Sequence, residues 1–159
     1  MAKVRDGFQR GKVISIAAGH FIHDSYTSFL APALPLIIEK LGISYGMSGL
    51  LAVFQRIPSL FNPFIGIIAE RPVMRYMVIF SPAFTALFMS LIGLAPGYIF
   101  LAVLLFFSGI SSTFWHIPTP VMVNRYSGKR LGKGMSYYMA GGELARTAGP
   151  LIILGVISW

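Results

Sequence analysis

Charge is scarce in this sequence. Asp, Glu, Lys and Arg make up 11% of its 159 residues while 55% are hydrophobic, against about 25% charged in a soluble domain. So few charges cannot cover a water-facing surface, and the bilayer is the expected solvent. Acids are rarer still, five against thirteen Lys and Arg, leaving a net charge of +8. Cysteine is absent, which excludes thiol catalysis, disulfides and cysteine metal sites. There is no short-period repeat, low-complexity segment, nucleophile triad, phosphate-cradling loop or metal-ligand spacing, and His20 with Asp24 alone would be a weak metal site. Neither an enzyme activity nor a metal or cofactor is expected.

The apolar residues come in long runs, near Val13–Ile38, Gly46–Ala69, Val73–Ala95, Tyr98–Val123 and Gly134–Ser158. Each is long enough to cross about 30 Å of hydrocarbon as a helix. The fold class expected is therefore an all-α polytopic membrane protein with five transmembrane helices and no soluble domain. The first run exceeds a signal-peptide core, carries His20, His23 and Asp24, and has no convincing cleavage region, so it should stay in the mature protein.

The basic residues fall in alternate connections. Lys3, Arg5, Arg10 and Lys12 precede the first run, Arg71 and Arg75 separate the second from the third, and Arg125, Lys129, Arg130 and Lys133 join the fourth to the fifth. These ten of thirteen mark the cytoplasmic side, so the N-terminus is expected inside. The other side holds Lys40 beside Glu39 and the Ala95-Pro96-Gly97 turn. A nucleic-acid surface would need a contiguous basic face with interleaved aromatics. Here helices split the charges, and no nucleic-acid partner is expected.

A charge in mid-span costs about 2.5–3.5 kcal/mol on insertion scales, so each one needs a reason. The i, i+3 and i, i+4 spacings put His20 on one helical face with His23 and Asp24, a face that should look into a polar cavity. There Asp24 can exchange a proton that either histidine shares or relays; equally, it can pair with a cation and lock helices together. The second run contributes Arg56, the fourth His116, and the fifth Glu143 with Arg146 at i, i+3. A buried network of Asp24, Glu143, Arg56 and Arg146 is one reading; a self-sufficient Glu143–Arg146 pair is the other. The third run has no charge after Arg75 and can face lipid. Pro32, Pro35, Pro58, Pro63, Pro82, Pro118, Pro120 and Pro150 should bend or loosen helices. Phe106, Phe107, Phe114, Trp115, Tyr137, Tyr138 and Met139 read as packing or lipid-facing residues more than as a drug cavity.

After the second run, Gly66-Ile67-Ile68-Ala69-Glu70-Arg71-Pro72-Val73-Met74-Arg75 resembles the loop signature of major facilitator transporters, matched at Gly66, Glu70, Arg71 and Arg75. Val73 and Met74 stand where the signature has glycine and a basic residue. The resemblance implies a gating latch on the cytoplasmic side. Gly141-Gly142-Glu143-Leu144-Ala145-Arg146-Thr147-Ala148-Gly149-Pro150 is similar to the glycine-rich segment of that superfamily's drug:proton antiporters, with its Gly149-Pro150 core. His116, the Ser127-Gly128-Lys129-Arg130 turn and Gly19-His20 followed by Asp24 resemble the fosmidomycin-resistance branch.

The resemblance implies twelve helices in two halves with the transport path between them, which makes residues 1–159 an incomplete N-terminal half. It further implies an inner-membrane protein that lies in a lipid bilayer, meets a small-molecule substrate and protons, and works with the missing remainder of the transporter. Proton-coupled efflux leads. Uptake of a nutrient or organic anion, with Arg56 and Arg146 as anion ligands, and a non-transporting subunit or truncated fragment stay open.

Overall fold

The computed structural model describes residues 7–158, and among them every regular element is helical, with no strand. Lys3 and Arg5, two of the basic residues assigned to the cytoplasmic side, lie outside the described residues. The helices are α1 (Arg10–Thr27), α2 (Leu30–Leu41), α3 (Tyr45–Arg56), α4 (Asn62–Ile68), α5 (Val73–Leu91), α6 (Tyr98–His116), α7 (Pro118–Ser127) and α8 (Leu131–Ile157).

Three of the expected single helices are interrupted. The first run breaks at Ser28, because Thr27 and Ser28 turn their hydroxyls back onto the carbonyls of Asp24 and Ser25 at 3.1 and 2.8 Å, in competition with the helical ladder. Pro32 then sits in the opening turn of α2, where a missing N–H costs nothing. In the second run Pro58 and Pro63 tighten Ile57–Phe61 into a 3-10 turn between α3 and α4, since neither can donate to a carbonyl four residues back. Pro118 divides the fourth run into α6 and α7. In the fifth, Pro150 is accommodated inside an unbroken 27-residue α8.

Three stretches have the length and apolarity to cross a membrane: Tyr45–Ile68, Val73–Leu94 and Tyr98–Ile157. The last, at 60 residues, would be about 90 Å long if straight, three hydrocarbon thicknesses. It is folded: α7 packs against both α6 and α8, and the chain turns at Gly128, whose φ of 53° lies in the left-handed region glycine tolerates. The run containing Asp24 does not qualify. The break at Ser28 leaves α1 with eighteen residues that include Arg10, Lys12 and Asp24, and α2 with twelve.

α1 is central, packed against α5, α7 and α8. One apolar cluster joins Leu30, Ile37, Leu51, Met89, Leu101 and Leu105 of α2, α3, α5 and α6, and a second joins Ile16, Val123 and Tyr138 of α1, α7 and α8. Small residues bring helices to backbone contact. A Cβ on Gly141 would meet the carbonyl of Ala17, one on Gly149 the carbonyl of Ser25 at 2.8 Å, and one on Gly109 the carbonyl of Gln55. On α5, Phe80, Phe84 and Leu87 are exposed, as expected of a helix facing lipid. Its inner face is polar, with Thr85 donating to Ser111 at 2.8 Å and Ser111 to the carbonyl of Ser81 at 2.7 Å.

Candidate functional site

The break after Thr27 leaves the last turns of α1 beside the C-terminal end of α6 and the middle of α8, and polar groups converge there. The Asp24 carboxylate, 2% exposed, has His20 Nε2 at 3.3 Å, His23 Nδ1 at 2.9 Å, His116 Nε2 at 3.2 Å and Arg146 Nε at 3.8 Å. Three elements thus surround one acid. Burial of a carboxylate is costly unless such groups compensate for its lost water.

The histidines are held by their surroundings. His20 Nδ1 lies 2.8 Å from the carbonyl oxygen of Tyr138; a carbonyl can only accept, so Nδ1 carries the hydrogen and donates. The His20 ring stacks on Tyr138 at a centroid distance of 4.0 Å, and His23 stacks on Trp115 at 5.5 Å. His116 stands edge-on to both, at 5.3 and 5.1 Å. Gly142 is needed for this arrangement, since a Cβ there would lie 2.6 Å from His20 Cε1.

Beside the cluster opens a cavity of about 560 Å³, lined among others by Asp24, Gln55, Arg56, Thr113, His116 and Arg146. It takes polar groups from α1, α3, α6 and α8. Arg146 reaches both Asp24 and Glu143, the latter at 3.0 Å. Glu143 itself is exposed and off the cavity lining, so it belongs to the network only through Arg146. Arg56 lines the cavity, and among the described residues no acid pairs with it. Phe106 and Phe114 line a neighbouring apolar pocket of about 230 Å³ with Pro58 and Phe61. Phe107, Tyr137 and Met139 are exposed.

The loop-signature residues lie elsewhere. Glu70, Arg71 and Arg75 are exposed around the turn between α4 and α5. Among the described residues Glu70 has no ion-pair partner, and a Cβ on Gly66 would meet nothing within 4 Å. The close approach read into Gly66 is therefore not made within the described chain, whereas Gly149 makes one against α1, one residue before Pro150. Trp115 and the backbone of Tyr138, which sequence reasoning treated as packing, are the walls that orient the histidines; no sequence spacing signals this. The sequence also offered His20 and Asp24 as a metal pair too weak to count, while the fold adds His116, so that three donor atoms lie within 4.8 Å of one another.

The sequence model of the Major Facilitator Superfamily matches residues 16–159. Over 98% of its length the chain is 26% identical to a protein named fosmidomycin resistance protein in Escherichia coli. Over 88% it is 23% identical to an uncharacterized MFS-type transporter, YfnC, of Bacillus subtilis. It spans 38% and 34% of the lengths of those two relatives. No solved structure matches it.

Proposed function

This chain belongs to the major facilitator superfamily, and we propose that it forms the N-terminal, five-pass part of a secondary active transporter that exports a small molecule or drug in exchange for protons. Supporting the five passes, the folded stretch Tyr98–Ile157 supplies two helical legs, α6 with α7 and α8, joined by the basic turn at Gly128–Arg130. The run of α1 and α2, though too polar to qualify by apolarity, carries the cavity cluster. In this reading the protein sits in the inner membrane with the N-terminus and both basic connections in the cytoplasm, an orientation supported by the ten basic residues.

The observation that carries the reading is the buried Asp24 carboxylate, ringed by His20, His23 and His116 at the edge of the cavity that Arg56 and Arg146 also line. An acid at membrane depth that faces a water-accessible cavity is the usual equipment of a proton pathway. In this reading Asp24 couples the proton, the histidines relay it, and Arg56 and Arg146 meet the substrate. The remainder of the transporter supplies the opposite wall. Glu70, with Gly66, Arg71 and Arg75, latches onto that remainder.

Asp24→Asn in the full-length transporter is the test. It preserves shape and removes the ionisable group, so proton-driven flux should collapse while energy-independent substrate exchange survives. Undiminished proton-driven flux would sink the assignment. One observation favours a second reading on the same scaffold: among the described residues Arg56 has no acid partner, which leaves the cavity positive and suited to uptake of an organic anion. Arg56→Gln should then raise KM for an anionic substrate and leave a neutral one unaffected.

A further inference from the structure

We infer that His20, Asp24 and His116 form a binding site for one divalent transition-metal cation of the zinc, cobalt or nickel class. The inference does not depend on transport; it stands on how the donors are held. Metal–nitrogen and metal–oxygen bonds of about 2.0–2.1 Å place adjacent donors about 2.9–3.4 Å apart, depending on octahedral or tetrahedral angles. The two histidine-to-carboxylate separations are 3.3 Å for His20 and 3.2 Å for His116, each to a different oxygen. The carboxylate can thus bridge the two imidazoles around one ion.

The second observation concerns His20 Nε2. The Tyr138 carbonyl takes the Nδ1 hydrogen, so in the neutral ring Nε2 bears a lone pair, and it faces an anionic oxygen. Two electron-rich atoms in that relation repel unless a cation lies between them. Nε2 is buried in a residue only 3% exposed, and among the described residues it has no hydrogen-bond partner although the carboxylate is near. A proton on Nε2 would want to point at the oxygen. A shared metal instead lies off that line by about 35–45°, because the nitrogen–metal–oxygen angle is tetrahedral or smaller. Near but misaligned is the relation that a common cation needs.

The surroundings of the donors fit as well. A metal-bound histidine ordinarily donates its other N–H to a carbonyl or carboxylate, which fixes ring and tautomer, as His20 does to Tyr138. His23 Nδ1, 2.9 Å from Asp24 Oδ1, orients the carboxylate in the same way. Two cations oppose a bound ion: Arg146, 3.8 Å from Asp24 Oδ2, is mostly exposed and already bonded to Glu143 at 3.0 Å, so it can turn wholly to that acid, and Arg56 is exposed on the cavity wall without pairing with Asp24. Two imidazoles and one carboxylate suit zinc, cobalt, nickel or ferrous iron rather than magnesium or calcium, which take oxygen ligands. Because His116 and Asp24 line the cavity, remaining coordination positions open to water or to a donor atom of a cavity ligand.

The test uses the full chain purified in detergent with no polyhistidine tag, titrated with Co2+. One ion per chain is expected, with the d–d bands of a four- or five-coordinate site, displaced by Zn2+. His116→Ala, at a partly exposed position, should weaken binding at least about tenfold in a metal-free protein whose far-ultraviolet circular dichroism still shows the native helix content. His116→Cys should restore binding and add a thiolate-to-cobalt charge-transfer band, which no structural effect can mimic. Absence of saturable binding, or binding unaffected by His116→Ala, overturns the inference, as does His116→Cys binding cobalt without that band.

Discussion

Replacing Gly141 by alanine adds a single methyl group where α1 and α8 touch. A Cβ there would meet the backbone of Ala17, 3.1 Å from its carbonyl carbon and 3.3 Å from its Cα, with the oxygen nearer still. None of these atoms can rotate aside. Normal carbon–carbon contact is about 3.5–4.0 Å, so the helices must part by at least about 0.4–0.9 Å, and the nearer oxygen sets the larger demand. Overpacking of this kind costs about 1–3 kcal/mol, partly masked by the gain of about 1 kcal/mol when alanine replaces a helical glycine. Gly155 supplies the control, because it lies on the same helix and a Cβ there would meet nothing within 4 Å among the described residues. The propensity gain is common to both, so the stability difference between Gly155→Ala and Gly141→Ala isolates the clash, about 1–3 kcal/mol. Unfolding in mixed micelles, followed by far-ultraviolet circular dichroism against a denaturing detergent, measures it. Equal stabilities of the two variants would refute the claim that α1 and α8 meet through their backbones.

Gly149→Leu should destabilise more than Gly141→Ala, since it crowds the Ser25 carbonyl and also sets a side chain against the ring of Pro150; wild-type stability and expression would show no packing interface there. Reporter fusions at Arg71 and Lys129 should read cytoplasmic and those at Lys40 and Pro96 external, and a cytoplasmic signal at either of the latter would overturn the orientation. Thr85→Val removes the hydroxyl that donates to Ser111 and should cost about 0.6–1.7 kcal/mol, the range for hydrogen bonds between membrane helices; no loss in the same micelle assay would mean that this bond adds nothing to the α5–α6 contact.

Helix content was legible because apolar runs of membrane length have one good solution, and prolines at 58, 63 and 118 marked bends that the structure contains. The break at Ser28 was not legible: it arises from Thr27 and Ser28 hydroxyls competing for backbone carbonyls, which composition does not reveal. Within the site, i, i+4 spacing suffices to put His20 and Asp24 on one face of α1. Distant residues are a different matter. Arg146 and His116 reach the same carboxylate only because α8 packs along α1 and the C-terminal end of α6 arrives beside it, and Glu143, equivalent to Arg146 by spacing, turns outward instead. Arg56 arrives at the cavity without the acid that charge balance suggested. Periodicity identifies a face, whereas pairing depends on how far each helix is rotated against its neighbour.

The glycine contacts between α1 and α8 have a mechanical consequence. Where side chains interlock, displacement of one helix along another must lift each residue out of its hollow, and the interface has a few discrete resting positions. Gly141 and Gly149 place bare backbone against the carbonyls of Ala17 and Ser25, and Gly149 also against the Ser28 hydroxyl, so that part of the contact freezes few rotamers on forming and offers little to climb over. It is a smooth bearing between two rods. The toothed part of the same interface is Gly142 with the His20 ring and its Tyr138 anchor, so sliding of α8 strains a side chain that also faces Asp24.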